Sequence, residues 1–182
     1  MAVLVALIRG INVGGHKRMK MDALKGLCGR LGFEQPRTLL QSGNLVFRAD
    51  RSAADAAKAL EAGIAETFGF QATVIVREAA ALDAVIETNP FPDEAAADAA
   101  RVVAVFLAGE PAAGAGDRLT ATIAGPEQAV VAGDVAYIHY PDGQGRSKLT
   151  NVAIEKALGV AGTARNWSTV TKLAALAADA AG

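Results

Sequence analysis

Short β-rich runs and amphipathic helical segments alternate in a fixed order over the first half of this chain, and that order restricts its fold. Helical segments carry apolar residues three and four positions apart, whereas strands are short β-rich runs bounded by turn residues. The order β-α-β-β-α-β is the split-βαβ or ferredoxin-like pattern. The predicted segments are a strand at Ala2–Ile8, a helix with the stripe Leu24, Leu27, Cys28 and Leu31, a hairpin of strands Arg37–Gln41 and Asn44–Arg48, a helix begun by Ser52 and Asp55 with the stripe Leu60, Ile64 and Phe68, and a strand at Ala72–Val76.

The same order of elements recurs in the second half, after a helix with Leu82, Val85 and Ile86 and a linker around Pro90 and Pro92. We therefore predict an α+β protein of two ferredoxin-like (βαββαβ) units in tandem, residues 1–90 and 98–182, with additional helices between them and at the C-terminus. The alternative is one continuous mixed sheet with the later elements added at its edge. The predicted segments are a strand at Arg101–Leu107, a helix with Leu119 and Ile123, a hairpin of Gln128–Val131 and Val135–Tyr140, a helix at Leu149–Leu158, a strand at Thr163–Arg165 and a helix from Trp167.

Composition and cysteine usage narrow the class of protein. The 182 residues have a formal net charge of −1, which disfavours a protein that neutralises a duplex backbone. The single cysteine, Cys28, cannot form an internal disulfide, so we expect a cytoplasmic location. No apolar stretch reaches the length of about 18 residues that a membrane span needs, so we expect no membrane partner. The two histidines, His16 and His139, are isolated in the sequence, and we expect neither a metal nor a cofactor.

A long polar loop follows the first strand and leads into the first helix. Residues Arg9–Lys20 include three glycines and four cations, whereas a connection of a few residues would serve an ordinary αβ fold. Exposed backbone N–H groups and fixed positive charge at the start of a helix favour an anion. The loop therefore predicts an anion-binding site.

The topology of a split-βαβ unit brings this loop to the hairpin, because strands one and two run parallel and end at the same edge of the sheet. Candidate ligand-binding residues then come from both segments. Arginine and lysine supply charge for phosphate or carboxylate, and the amides and the hydroxyl fix orientation. The alternative is that the Ser-Gly-Asn segment only closes a turn. The candidates are Arg9, Asn12, Lys20, Gln41, Ser42 and Asn44.

A second polar cluster is predicted near the C-terminus, where two strand ends share an edge of the second sheet. Ser147 is expected to cap the following helix, and Asn166 or Ser168 the last one. Trp167 is expected to offer an aromatic face to a ligand. The alternative is two capped helices with solvated basic residues. If the units dock across a cleft, both clusters line one site. The candidates are Arg146, Ser147, Lys148, Arg165, Asn166 and Trp167.

Several catalytic and nucleotide-binding motifs are absent from the sequence. Residues Arg9–Lys20 contain neither a P-loop nor Gly-x-Gly-x-x-Gly. No nucleophile elbow occurs, and Cys28 lies on the apolar stripe of its helix. Phe47 is the lone aromatic on the predicted central strands, which disfavours base stacking of the RRM type. The sequence therefore assigns no catalytic residue and no reaction.

Six motifs together resemble a known family. They are Arg-Gly-Ile-Asn-Val-Gly-Gly at Arg9–Gly15, Lys-Met at Lys20–Met21, Gln-Ser-Gly-Asn at Gln41–Asn44, Asn-Pro-Phe at Asn89–Phe91, Ser-Lys-Leu-Thr at Ser147–Thr150 and Thr-Ala-Arg-Asn-Trp at Thr163–Trp167, continued by Thr169–Leu173. The chain resembles the bacterial family called domain of unknown function 1697 over nearly its whole length. The resemblance implies a compact cytoplasmic α/β protein with duplicated ferredoxin-like architecture. It implies no established activity and no catalytic assignment.

These observations favour a protein that binds a small anionic ligand, bearing phosphate or carboxylate, in a cleft between the two units. One alternative is a nucleic-acid-binding protein that uses the basic loop on phosphates, which predicts steep salt dependence. The other is a structural or partner-binding protein in which the polar motifs only cap helices and close turns.

Overall fold

The computed structural model describes residues 1–182 and contains eight strands and seven α-helices. A short 3-10 turn at Gln144–Arg146 precedes the sixth helix. No helix combines the length and the apolar character that crossing a bilayer requires. In chain order the elements are β1 Ala2–Ile8, α1 Met21–Arg30, β2 Glu34–Leu39, β3 Asn44–Ala49, α2 Ala53–Phe68, β4 Val74–Glu78, α3 Ala79–Glu87, α4 Pro92–Ala97, β5 Val102–Leu107, α5 Ala115–Ala121, β6 Gln128–Ala132, β7 Val135–His139, α6 Asn151–Leu158, β8 Gly162–Asn166 and α7 Trp167–Ala181.

The chain divides into two compact units, of which the first comprises Met1–Ala84 with Lys172–Gly182 and the second Val85–Thr171. Helix α7 carries residues of both units. The domain boundaries inferred from the sequence, 1–90 and 98–182, stay a prediction.

The first unit is built on an antiparallel sheet with the strand order β2-β3-β1-β4. The central strand β1 pairs with β3 through Leu4↔Phe47 and with β4 through Ala6↔Val76. The side chains of β1 that face the helices join the apolar stripes of α1 and α2 in one buried cluster. This arrangement confirms the predicted ferredoxin-like fold of the first half.

The second unit repeats the arrangement with the strand order β6-β7-β5-β8. Its core is formed by β5, β7 and the helices α5 and α6. Because each unit has its own four-stranded sheet, the tandem fold is confirmed and the alternative of one continuous sheet is wrong. The predicted linker was only partly correct, since a short helix, α4, begins at Pro92 within it.

Local signals explain where the helices begin and end. The Ser52 hydroxyl accepts from the backbone N–H of Asp55 at 3.1 Å, so the predicted N-cap of α2 is confirmed. The prediction that Ser147 caps α6 was wrong: Thr150 accepts from Ala153 N at 3.2 Å. Thr150 stands directly before the helix, whereas Ser147 lies four positions before Asn151, too far back to reach its first N–H groups.

Candidate functional site

The loop Arg9–Lys20 is held in one conformation by the side chain of Asn12. Its Oδ1 accepts from Met19 N at 2.8 Å, and its Nδ2 donates to Met19 O at 2.9 Å. A backbone hydrogen bond from Asn12 N to Lys17 O closes the interior of the loop at 3.1 Å. Asn12 adopts a φ of 55°, which asparagine tolerates better than most residues. The loop is therefore an ordered element that presents its cations from defined positions.

The same side chain joins the loop to the β2–β3 hairpin. Asn12 Nδ2 donates its second hydrogen bond to Gln41 O at 2.7 Å, and Ile8 N donates to Gly43 O at 2.8 Å. The convergence of loop and hairpin predicted from topology is therefore confirmed.

The hairpin side chains of Asn44 and Ser42 close their own turn. Asn44 is 0% exposed. Its Nδ2 donates to Leu39 O at 2.8 Å and to Ser42 Oγ at 2.9 Å. These bonds are ordinary turn chemistry, the alternative predicted for the Ser-Gly-Asn segment. A ligand-binding role for either residue stays a prediction.

A groove of about 600 Å³ opens where the loop, the hairpin and α2 meet within the first unit. We call it the loop–hairpin groove. The side chains of Arg18 and Lys20 are exposed and form no ion pair. The apolar residues at the groove are Met19, which is buried, and Phe68, which is half-buried. The groove is lined by Asn12, Gly15, Arg18, Met19, Lys20, Ala23, Gln41 and Phe68.

Helix α1 begins beside this groove. Lys20 occupies its N-cap position with extended backbone geometry and provides no side-chain cap. The first backbone N–H groups of a helix carry a partial positive charge that favours anions. Asp22 in the first turn pairs with Lys25 at 3.0 Å, so that carboxylate is partly neutralised by its own helix. The helix start adds to the positive potential that the two cations create.

Arg9 does not line the loop–hairpin groove. It lines a separate cavity of about 400 Å³ with Lys17, Glu61, Gln71 and Thr73. Lys17 Nζ donates to Gln71 O across 3.0 Å, and Arg9 N donates to Thr73 O at 2.9 Å. The six candidates of the first cluster are thus divided: Arg9 lies in one cavity, Asn12, Lys20 and Gln41 line the other, and Ser42 and Asn44 line neither.

In the second unit, Arg146 and Lys148 line a groove of about 340 Å³. Two carboxylates, Glu127 and Asp142, line the same groove and balance the two cations. Ser147 Oγ donates to Glu127 Oε1 at 2.5 Å, and this hydrogen bond lowers the pKa of the Glu127 carboxyl. A groove with balanced charges attracts an anion less strongly than one lined by cations alone.

Arg165, Asn166 and Trp167 do not line that groove. Although β7 and β8 end at the same side of the sheet, Arg165 and Asn166 have local partners and Trp167 packs against another strand. Arg165 is buried and donates to Thr163 Oγ1 at 2.7 Å. Its burial lowers the pKa of the guanidinium to about 10. Asn166 Oδ1 accepts from Thr169 N at 3.0 Å, so the prediction that Asn166 or Ser168 caps α7 is confirmed for Asn166.

Trp167 is buried, whereas the sequence predicts that it offers an exposed aromatic face to a ligand. The side chain is 7% exposed and packs against Tyr137, with ring centroids 6.5 Å apart. The ligand-binding roles proposed for the second cluster, and the expectation of one site shared by both clusters, stay predictions.

Five of the eight residues that line the loop–hairpin groove are not among the candidates predicted from the sequence: Gly15, Arg18, Met19, Ala23 and Phe68. Gly15, Arg18 and Met19 belong to the loop that the sequence predicts as an anion site, and the spacing of Phe68 predicts a place in the apolar stripe of α2. A usable signal was the position of Phe68 in the last turn of its helix, directly before Gly69, where a side chain is half open to solvent. Nowhere in the structure do three His, Cys, Asp or Glu side chains come together as a metal-binding group.

Comparisons with known proteins locate the chain among its relatives. A family model described as "Protein of unknown function (DUF1697)" matches residues 1–137. In structure the chain is similar to the conserved bacterial protein SP0830 from Streptococcus pneumoniae, with a TM-score of 0.76 and 20% sequence identity, over 97% of this chain and 98% of that one. This likeness concerns the fold alone. No curated protein matches the chain.

Proposed function

We propose that this chain, which belongs to the DUF1697 family of proteins of unknown function, binds a small anionic molecule in the loop–hairpin groove of its first unit. One observation carries the proposal. Two exposed cations without an ion-pair partner, Arg18 and Lys20, line the same groove of about 600 Å³ as the apolar side chains of Met19 and Phe68.

Charge is the first support for this function. No acidic residue lines the loop–hairpin groove, so its positive potential is not cancelled within the groove. Arginine offers a planar fork that matches phosphate or carboxylate, and lysine offers a movable point charge. The start of α1 adds a partial positive charge at the same place.

The shape of the groove defines the ligand further. Small-molecule sites combine a mostly apolar lining with a few polar groups that fix orientation. Here Met19 and Phe68 supply the apolar part, and the exposed side chain of Gln41 can donate and accept hydrogen bonds. We therefore propose an elongated ligand with one phosphate or carboxylate group and one apolar or planar group.

The rigidity of the loop supports binding as well. Since Asn12 fixes the loop at Met19 and at Gln41, Arg18 and Lys20 stand on an ordered backbone before a ligand arrives. Preorganisation lowers the entropy cost of binding. For a chain with one cysteine, which is buried and free, we place this activity in the cytoplasm.

Phenyl phosphate, compared with inorganic phosphate and benzoate, tests this function by differential scanning fluorimetry. We expect phenyl phosphate to raise the melting temperature more than inorganic phosphate does, because its ring reaches Met19 and Phe68. The double variant Arg18→Ala/Lys20→Ala should lose the shift. Lys58→Ala is the matched control, because Lys58 is exposed on α2 and lies outside the groove.

Two results would contradict the proposal. One is the absence of stabilisation by any of the three anions. The other is an equal loss of the shift in Lys58→Ala, which would indicate general screening of surface charge. If instead a single-stranded or duplex oligonucleotide binds in a steeply salt-dependent way while the small anions do not, the nucleic-acid alternative is correct.

A further inference from the structure

Four strands form the edges of the two sheets: β2 and β4 in the first unit and β6 and β8 in the second. An edge strand presents unpaired backbone N–H and C=O groups that can pair with another strand. Proteins usually protect such edges with proline, charged side chains or irregular register.

Three of the four edges carry this protection. Strand β2 contains Pro36, and its register with β3 shifts between Glu34 and Arg37. In β4 the Arg77 guanidinium donates to Val76 O at 3.2 Å. In β8 the Arg165 guanidinium donates to Ala164 O at 2.8 Å. Each of these strands therefore bears a feature that hinders a second chain from pairing with it.

Strand β6 lacks all of these features. Its sequence, Gln-Ala-Val-Val-Ala, contains no proline and no charged residue. Its register with β7 is regular from Gln128↔His139 to Ala132↔Val135. Val130, at the centre of the strand, is 41% exposed. This edge is neutral, regular and partly apolar.

A groove of about 450 Å³ runs beside the first three residues of this edge. Ile123 and Thr120 form the wall on the side of α5, and Phe91 contributes to the lining from another segment of the unit. Ala129 packs against the core below α5, together with Val131. An added strand would find the apolar side chains of Phe91, Ile123 and Val130 beside the backbone groups of β6, with the Glu127 carboxylate at the start of the strand.

We propose that β6 is a self-association strand that pairs antiparallel with β6 of a second copy of this chain. A two-fold axis at Val130 brings Val130 opposite itself. The same axis places Gln128 opposite Ala132 and Ala129 opposite Val131 of the second copy, and Glu127 then faces Gly133. No like charges meet in this register, and the two four-stranded sheets become one of eight strands.

The neutral sequence of β6 favours a second copy over a charged peptide. A strand without charge offers no side chain that could select a charged partner, whereas two copies of β6 meet about Val130 without bringing like charges together. The contact is small, because each copy contributes a strand of five residues. Stable interfaces bury about 1,200–2,000 Å², so we expect a weak dimer that forms with increasing protein concentration.

Sedimentation equilibrium over a range of protein concentrations tests the proposal. We expect a monomer–dimer equilibrium for the wild-type chain. Val130→Lys should raise the dissociation constant at least tenfold, because two ammonium groups would face each other across the axis. Val152→Lys is the matched control, since Val152 is 74% exposed on α6, away from this edge.

Oxidative crosslinking tests the register. Val130→Cys places two thiols opposite each other, so we expect a disulfide-linked dimer that Val152→Cys does not form. The native thiol of Cys28 is buried and does not compete. A wild-type chain that stays monomeric throughout, a dimer that Val130→Lys leaves unchanged while the variant remains folded, or equal crosslinking of the two cysteine variants would overturn the proposal. None of these measurements depends on the loop–hairpin groove.

Discussion

The side-chain amide of Asn12 donates a 2.7 Å hydrogen bond to the backbone carbonyl oxygen of Gln41, 29 residues later in the chain. This bond joins the loop after β1 to the β2–β3 hairpin. The same Nδ2 group donates a second hydrogen bond to Met19 O. The amide of Asn12 therefore shapes the loop–hairpin groove, and the exposed cations beside it, Arg18 and Lys20, form no ion pair.

We predict that Asn12→Ala destabilises the protein more than Asn12→Gly does. Both variants lose the hydrogen bonds to Met19 and Gln41, each worth about 0.5–1.5 kcal/mol. Alanine also has to adopt the positive φ of residue 12, which costs it roughly 1–2 kcal/mol and costs glycine almost nothing. Urea unfolding followed by circular dichroism measures the difference. Equal stability of the two variants would mean that residue 12 relaxes to negative φ.

Gly43→Ala should be strongly destabilising. Gly43 has a φ of 83°, and a Cβ placed there would lie 2.9 Å from the Ile8 Cβ and 2.9 Å from the Ile11 Cδ1. Gly133→Ala is the matched control, because Gly133 also has positive φ but no atom within 4 Å of an added Cβ. We expect a cost of about 1–2 kcal/mol for the control and a larger one for Gly43→Ala. Equal melting temperatures of the two variants would contradict this account of the packing.

The thiol of Cys28 should lower stability at high pH. Burial raises the pKa of this thiol from 9.0 to about 12, so the folded state retains its proton when the unfolded chain has lost it. The contribution of the protonated thiol to the free energy of unfolding is fully present below pH 9 and is lost progressively between pH 9 and 12. Cys28→Ala should make the decline of unfolding free energy above pH 9 less steep. A variant with the same slope as wild type would show that the thiol does not contribute.

Thr150→Ala should destabilise the second unit by about 1 kcal/mol, the usual effect of losing an N-cap. The Thr150 hydroxyl accepts from Ala153 N. Thr150→Ser retains the acceptor and serves as the control, with most of the stability preserved. Thermal unfolding of both variants checks the assignment. An unaltered melting temperature of Thr150→Ala would show that the Thr150 hydroxyl does not stabilise the start of α6.

The fold could be predicted because local periodicity and strand order specify it. The order β-α-β-β-α-β predicts that the loop after β1 and the β2–β3 hairpin meet. The hydrogen bond from Ile8 N to Gly43 O confirms this prediction. The fate of individual polar side chains was harder to predict, since each depends on its tertiary neighbours. From the sequence, the ring of Trp167 could be either buried or exposed. In the structure it is buried because it packs against Tyr137.

The division of the first cluster has a similar cause. A sequence places Arg9 and Lys20 at the same end of the sheet, but it does not show that the loop between them separates two cavities. That separation follows from the bonds that Asn12 and Lys17 make to distant backbone oxygens. Phe68 was missed as a groove residue because its spacing fits the core stripe equally well.

Amide-resolved NMR titration of the isotopically labelled chain with phenyl phosphate tests the central claim most directly. We predict saturable chemical-shift changes that cluster at residues 12–23, at Gln41 and at Phe68, with a dissociation constant at least tenfold larger for Arg18→Ala/Lys20→Ala. This loss corresponds to about 1.4 kcal/mol or more. Shift changes confined to Arg146 and Lys148, or no saturable changes at all, would contradict the assignment of the loop–hairpin groove as the anion site.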